Sequence, residues 1–255
     1  MKKYTPKYFK ENLPEWKRKK DPIFSRIFYR PCSFITASIC SNLGISANAV
    51  SYFSILIALA SCILIAIPNY ICNIIGAVLV NVWLLSDCTD GNIARSVKKQ
   101  PFGEFADGIS SYILVGFLCT SLGIAAYFNN GFLISKNCIW IVLLGALASS
   151  GDTLMRLIYQ KYKSDERTLV DKGIIELEDD KRKNKNETTS LLVRLESDFG
   201  VGGILPIIIL IGAILKIYDL VVIYCFMYYF FASLMMSMKY IYKAIKKTKE
   251  IEGDK

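Results

Sequence analysis

The sequence contains no histidine among its 255 residues. This absence excludes histidine general bases and histidine-ligated metal sites, so a bound metal needs oxygen or sulfur ligands. Eight cysteines are present, but no two of them form a C-x-x-C pair. Four cysteines lie within apolar runs: Cys62, Cys72, Cys119 and Cys225. We therefore interpret the cysteines as buried structural thiols rather than as disulfide partners.

The chain is 53% hydrophobic and has a mean hydropathy of +0.36, yet it carries 31 Lys and Arg against 22 Asp and Glu. The hydrophobic residues form long blocks between charged segments, which is typical of multi-span membrane proteins. All but two of the basic residues lie in four segments, 1–31, 95–100, 156–194 and 239–255. The positive-inside rule places these segments and both termini in the cytoplasm. Membrane topology therefore explains the net charge of +9 better than nucleic-acid binding does.

The apolar blocks predict an all-α integral membrane protein with six transmembrane helices and an N-terminal interfacial amphipathic helix. The spans are predicted at 45–68, 69–97, 102–127, 137–159, 199–217 and 220–242. The interfacial helix starts near Asp21 and ends at Gly44, and Ser46 is the predicted N-cap of the first span. The predicted regions are a cytoplasmic N-terminal segment with the interfacial helix (1–43), a membrane domain (44–245) with a cytoplasmic loop (160–197), and a cytoplasmic tail (246–255).

Three carboxylates lie at the ends of two neighbouring apolar segments, where unpaired acids are costly. Asp87 and Asp90 are three residues apart near the end of the second span, so they share a helix face. The short connection makes the next helix antiparallel, and Asp107 therefore faces the same gap. Divalent cations keep clustered carboxylates ionised, so the pattern predicts Mg²⁺ or Mn²⁺ bound by Asp87, Asp90 and Asp107.

Small residues flank these acids on both helices. Gly91, Ala94 and Gly103 leave the helix surfaces bare, so a flat ligand can approach the backbone, and Arg95 offers a guanidinium for phosphate. Each feature has a plainer interpretation, because small residues also serve helix packing in membranes and Arg95 also suits an interfacial anchor. The functional interpretation is favoured because it explains all of these features together.

The stretch Ser86–Ser111 resembles the signature of the CDP-alcohol phosphotransferase (CDP-alcohol phosphatidyltransferase) family. That signature is an aspartate, two residues, Asp-Gly, two residues, Ala-Arg, a variable gap, a glycine, three residues, an aspartate, three residues and a final aspartate. Seven of the eight positions are filled, by Asp87, Asp90, Gly91, Ala94, Arg95, Gly103 and Asp107. Residues 45–51 also resemble the start of the family's first span. With the predicted spans, the resemblance covers residues 21 to about 245.

The resemblance implies transfer of a substituted phosphate from a CDP-alcohol donor to an acceptor hydroxyl, with release of CMP, in the synthesis of phospholipids, polyol phosphates or surface glycans. It implies that the three aspartates hold divalent metal against the donor pyrophosphate. It further implies a homodimer in the lipid bilayer. The distribution of basic residues predicts an active site on the cytoplasmic side and no nucleic-acid partner. The residues implied to shape the CDP site are Asn48, Ser51, Asp87, Asp90, Gly91, Ala94, Arg95, Gly103 and Asp107.

Three arginines indicate an acceptor that carries phosphate or is otherwise anionic. Arg26 and Arg30 are four residues apart on the predicted interfacial helix, and Arg156 lies near the end of the fourth span. Two interpretations of the first pair remain open: the guanidinium groups grip lipid phosphate, or they line a pocket for the acceptor.

Ser111 stands where the family signature has its fourth aspartate. In the family, that aspartate is associated with a second metal and with removing the proton of the acceptor hydroxyl, and neutral serine is poor at both. Three explanations are open: a form inactivated to trap substrate, a natural member that uses another base, or a protein that binds but has lost turnover. Glu104 and Asp152 are the candidates for another base.

Two other functions are compatible with the sequence. A non-enzymatic membrane assembly protein would use the acidic cluster as a metal-stabilised joint. A transporter would also carry acids within its spans, but these three acids lie near one membrane face rather than at the midplane. We therefore favour the phosphotransferase interpretation.

Overall fold

The computed structural model describes residues 3–175 and 197–253, and these residues are largely helical. No β-strand occurs in the described ranges, which confirms the all-α prediction. A π-helical turn, Ser25–Tyr29, leads into α3, and a second one, Phe226–Phe230, lies within α9. The helices are α1 (Pro6–Glu11), α2 (Glu15–Lys20), α3 (Arg30–Asn42), α4 (Ala47–Ala66), α5 (Tyr70–Ser96), α6 (Gly103–Phe128), α7 (Ile139–Asp171), α8 (Leu205–Leu215) and α9 (Tyr218–Gly253).

Five helices are long and apolar enough to cross a membrane: α4, α5, α6, α7 and α9. The protein is therefore an integral membrane protein. The predicted span at 199–217 is shorter in the structure, because residues 201–204 form turns and the helix α8 has 11 residues. At 1.5 Å per residue, α8 covers about 17 Å, roughly half of a hydrocarbon core.

The predicted loop 160–197 starts later than expected. Residues 160–171 continue α7, and residues 176–196 of the predicted loop lie outside the described ranges. Likewise, residues 246–253 of the predicted tail belong to α9. Mixed charge alone did not mark the end of α7, since charged residues are good helix formers.

The helix ends follow from local sequence chemistry. The Ser46 side chain accepts a hydrogen bond from the Ala49 amide at 3.2 Å, which confirms it as the N-cap of α4. Asn69 caps α5 through its Oδ1, which accepts from the amides of Ile71 and Cys72. Gly44 has a φ of +76°, the left-handed conformation that ends α3.

Helices α4, α5 and α6 pack together and fix the relative positions of the acidic residues. The Trp83 Nε1 on α5 donates to the Ser110 Oγ on α6 at 2.8 Å, and Ser110 shares a 2.5 Å hydrogen bond with Ser54 on α4. All three side chains are buried. This polar contact involves the residue next to Ser111. It fixes the position of α6 along the axis of α5.

The described cysteines are all free. Cys62, Cys119 and Cys225 are buried in the helix bundle, whereas Cys72 is only partly buried. The prediction of buried thiols is therefore confirmed for these three but not for Cys72, and Cys32 is exposed.

At the opposite end of the bundle, one carboxylate holds the α6–α7 loop against α9. Asp219, at the start of α9, accepts hydrogen bonds from three successive amides of the α6–α7 loop: Phe132 at 3.0 Å, Leu133 at 2.6 Å and Ile134 at 3.0 Å. Asp219 is buried, and a Cβ added at Gly131 would collide with its carboxylate. This loop therefore requires both an acid at position 219 and a glycine at position 131.

Helix α1 and the residues that follow it pack against α3 and the end of α5. Phe9 and Leu13 bury their side chains in a small apolar cluster with Phe34 and Ile93. The Tyr8 hydroxyl donates to the carbonyl of Ser96 at 2.6 Å. The segment thus lies at the same end of the bundle as the acidic residues.

Candidate active site

The structure brings the three signature aspartates together at the facing ends of α5 and α6. Asp87 interacts electrostatically with Asp107, and Asp90 interacts with both. Asp90 is buried, Asp87 is half-buried and Asp107 is exposed, so the group extends from the bundle interior to its surface. The antiparallel arrangement predicted from the short α5–α6 connection produces this grouping.

Ser51 on α4 orients the deepest of these acids. Its Oγ donates to the Asp90 Oδ2 at 2.5 Å and also lies 3.2 Å from the carbonyl of Ala47. Both Ser51 and Asp90 are buried. The hydrogen bond therefore ties the acidic end of α5 to the first turns of α4.

The donor set fits a hard divalent cation in its chemistry. All three groups are carboxylates, the preferred ligands of Mg²⁺ and Mn²⁺. None of the three forms an ion pair within the described ranges, so their negative charge is not neutralised by a lysine or arginine in direct contact. In residues 3–175 and 197–253, no group of three or more Asp, Glu, Cys or His side chains is arranged to hold an ion. The acids thus gather in one place without forming a ready-made coordination shell.

Arg30 forms a buried network beside this cluster. Its Nε and Nη2 donate to the two carboxylate oxygens of Asp21 at 2.8 and 2.9 Å, and its Nη1 donates to the Asn92 Oδ1 at 3.1 Å. Burial raises the pKa of Asp21, but the bonds from Arg30 and the nearby Lys17 ammonium outweigh burial and hold the pKa below its usual 3.8. Sequence reasoning missed Asp21 and Asn92, although a polar Asn92 between the signature residues was a signal for both helix contact and function.

The two arginines of the interfacial segment lie in different surroundings. Arg30 is buried, whereas Arg26 is exposed and its Nη2 donates to the backbone carbonyls of Asp21 and Lys19. The π-helical turn Ser25–Tyr29 separates them, so residues four apart do not superpose as they would on a regular α-helix. The structure does not bring the two guanidinium groups into one pocket.

Substituting Asp21 by asparagine should destabilise the protein in a pH-dependent way. A carboxylate whose folded pKa is depressed stabilises the fold above its unfolded pKa, and this stabilisation is lost as the pH falls through the folded pKa. We expect Asp21→Asn to cost about 2 kcal/mol at about pH 7, a difference that shrinks as the pH falls below about 4. Thermal unfolding of the wild type and the variant in detergent over this pH range measures the difference in stability.

Glu11→Gln is the matched control, because the Glu11 side chain is 63% exposed and lies 3.7 Å from Lys7. Its substitution should change stability by less than about 0.5 kcal/mol at either pH. An Asp21→Asn cost that stays the same at low pH would show that packing, and not charge, underlies the effect.

Arg95 and Gly91 contact each other on the exposed side of the α5 end. A Cβ added at Gly91 would lie 2.9 Å from the Arg95 Nη2, and that same nitrogen donates to the Asn92 Oδ1 at 3.3 Å. Asn92 is fixed in turn by donating to the Ser33 Oγ at 2.8 Å. Two guanidinium groups, of Arg30 and Arg95, thus point at one amide oxygen beside the acidic cluster.

Asn48 connects α4 to the α5–α6 turn. Its backbone amide donates to the Gln100 Oε1 at 3.0 Å, and its Nδ2 donates to the carbonyl of Pro101 at 2.9 Å. The Asn48 Oδ1 is buried and has no hydrogen-bond partner among residues 3–175 and 197–253, and a Cβ at Gly103 would lie 3.3 Å from it. A buried acceptor without a partner is costly, so this oxygen is a candidate contact for a ligand's N–H or O–H.

Arg156 on α7 connects Ser111 to an acid. Its Nη1 donates to the Ser111 Oγ at 3.4 Å, and its Nε donates to the Asp152 Oδ2 at 3.2 Å. Asp152 is buried, whereas Glu104 is largely exposed and pairs with Lys99 at 2.9 Å. Of the two candidate bases named from the sequence, only Asp152 is connected to Ser111 by these hydrogen bonds.

Comparison with known proteins identifies a family. The family model described as CDP-alcohol phosphatidyltransferase matches residues 44–242, which is more than half of the chain. No curated protein matches the sequence. The matched range includes α4, α5 and α6 in full, and with them the three aspartates and Asn48, Ser51 and Ser111.

Proposed function

Because the chain belongs to the CDP-alcohol phosphatidyltransferase family, we propose that it binds a CDP-alcohol between α4, α5 and α6 and transfers the substituted phosphate to an acceptor hydroxyl, releasing CMP. The observation that carries the proposal is the gathering of Asp87, Asp90 and Asp107 at the facing ends of α5 and α6. Three carboxylates that form no ion pair with the described lysines and arginines suit the pyrophosphate of a nucleotide only when a divalent cation lies between them.

Asp87, Asp90 and Asp107 would hold Mg²⁺ or Mn²⁺, which when bound neutralises charge on the pyrophosphate and on departing CMP. Ser51 holds the Asp90 carboxylate in place by donating a hydrogen bond to its Oδ2. Ala94 and Gly103 add little bulk beside the helix backbones, whereas the Arg95 guanidinium lies against Gly91 and would contact a nucleotide there. The Asn48 Oδ1 offers an acceptor for a ligand N–H or O–H, and Arg95 offers a donor to phosphate.

The acceptor is proposed to be anionic. Arg156 lies beside Ser111, and Arg26 is exposed at the rim of the same end of the bundle. Arg30 contributes by holding Asn92, since its own donors are directed to Asp21, Asn92 and the Cys88 carbonyl. A phosphate-bearing hydroxyl compound matches this set of cations.

We place this end of the bundle and both termini in the cytoplasm, because the basic segments lie at that end. The proposed setting is phospholipid, polyol-phosphate or surface-glycan synthesis by a homodimer. During the reaction, the acceptor oxygen forms a bond to the phosphorus distal to cytidine, the bond from that phosphorus to CMP breaks, and the acceptor proton leaves. Ser111 is a poor acceptor for that proton, which makes Asp152 the proposed substitute in this chain.

Nucleotide binding tests the proposal independently of turnover. We expect CDP-alcohols with Mg²⁺ to raise the melting temperature of the purified protein by about 5 °C or more at saturating concentration. Asp90→Asn should abolish this shift because it removes a charge and a metal ligand. Asp165→Asn is the matched control, since Asp165 is exposed and pairs with Lys161 outside the candidate site.

Absence of a shift with every CDP-alcohol would overturn the proposed function. A shift with Mg²⁺ alone that CDP-alcohols do not change would instead support a metal-stabilised joint without nucleotide chemistry.

A further inference from the structure

A cavity of about 650 Å³ lies between α1, α2 and α3, and none of its lining residues belongs to the candidate active site. Its volume is in the range of small-molecule sites, about 300–1,000 Å³. It is lined by Pro6, Lys7, Lys10, Glu11, Arg18, Pro31 and Phe34. We call it the N-terminal cavity.

The polar side of the N-terminal cavity is basic. Lys7, Lys10 and Arg18 contribute three positive charges against one negative charge from Glu11, which lies 3.7 Å from the Lys7 ammonium. The Arg18 Nη2 donates to the Lys10 carbonyl at 3.2 Å, so the guanidinium is held at the cavity and keeps other N–H donors for a ligand. The net charge of the lining favours an anion, and the fork of donors suits phosphate.

The other side of the cavity is apolar and continues into a stripe on α3. Phe34 and Pro31 form this wall. Ile35 and Ile39 lie four and eight residues after Pro31 on α3, and they are 54% and 53% exposed. Exposed isoleucines repeating along one side of a helix at the end of a membrane bundle suit contact with lipid. The cavity therefore lies beside an exposed apolar surface.

We propose that the N-terminal cavity binds the phosphate headgroup of an anionic phospholipid, with an acyl chain along Pro31 and Ile35. A soluble phosphate would use the basic side alone and leave the apolar wall uncovered. A zwitterionic lipid would match the apolar wall but bring a positive choline group to a basic cavity. This site is separate from nucleotide binding and does not depend on the proposed function.

Binding can be measured on the full-length protein in neutral detergent without metal or nucleotide. Native mass spectrometry with added phosphatidylglycerol, phosphatidylcholine or glycerol phosphate counts what each protein retains. We expect the wild-type protein to retain one phosphatidylglycerol molecule. The cavity variant Lys7→Gln/Lys10→Gln/Arg18→Gln should bind this lipid with an affinity about a hundredfold lower. The control Lys3→Gln/Lys19→Gln/Lys20→Gln removes the same charge outside the cavity and should retain the lipid.

Equal loss in both triple variants would overturn the proposal, because it would show diffuse attraction rather than a site. Glycerol phosphate that binds as tightly as phosphatidylglycerol, or phosphatidylcholine that is retained equally, would overturn the assignment to an anionic lipid. Unchanged retention by the cavity variant would also overturn it. Matching melting temperatures of the two triple variants would confirm that both are folded.

Discussion

Replacing Ser111 by aspartate is expected to raise the rate of CMP release from a suitable CDP-alcohol and acceptor by about a hundredfold or more. A positioned general base commonly contributes about a hundredfold to ten-thousandfold, and serine is too weak a base to supply it. The Arg156 Nη1 lies 3.4 Å from the Ser111 Oγ. A carboxylate at position 111 would therefore lie close to the Arg156 guanidinium, which favours its ionised form. Steady-state CMP release with saturating Mg²⁺ measures the gain.

Ser111→Asn is the matched control, because it adds similar volume without a base and should not raise the rate. An active wild-type protein that gains nothing from Ser111→Asp would contradict this prediction and indicate that Asp152, the base proposed for this chain, already supplies full general-base catalysis. In that case Asp152→Asn should abolish turnover while CDP binding persists. If both substitutions leave the rate unchanged, neither position removes the acceptor proton.

Asp219→Ala is expected to cost about 3 kcal/mol of stability and to lower the melting temperature in detergent by about 10 °C. The substitution removes the acceptor of three hydrogen bonds from the amides of Phe132, Leu133 and Ile134. Bonds to a charged acceptor contribute more than neutral ones, and the amides would be left without their acceptor. Asp219→Asn keeps one carbonyl oxygen and should cost less.

Asp165→Ala is the control, because it removes an exposed acid that pairs with Lys161 and should change stability little. A second test uses Gly131→Ala, which should be strongly destabilising beside Asp219 and much milder in the Asp219→Ala background. Additive costs would contradict a direct clash between position 131 and the carboxylate.

The membrane fold follows from the sequence because hydropathy is a property of single segments. The apolar blocks predicted the five long apolar helices that the structure describes. Ser46 marked a helix start through its side chain, and Gly44 marked a helix end through its backbone conformation. The length of α8 did not follow, because the turns at residues 201–204 depend on how Gly203 packs closely against Asp198. A hydropathy window averages over such a turn.

The grouping of the three aspartates also followed from the sequence, because a short connection between two helices leaves few arrangements. Long-range polar contacts did not. Asp21 and Arg30 were not paired in advance, since a π-helical turn between them changes the direction in which Arg30 points. The contact of Asp219 with a loop 85 to 87 residues earlier has no local signal at all.

That sequence separation has a consequence for how the protein is made. The α6–α7 loop emerges from the ribosome long before Asp219 does. The three loop amides therefore lack their native acceptor while α7 and α8 are synthesised. Helix pairs within the first part of the chain can form as they enter the bilayer, but this end of the bundle closes only when α9 arrives. Helix α9 thus completes a turn whose residues are synthesised well before it.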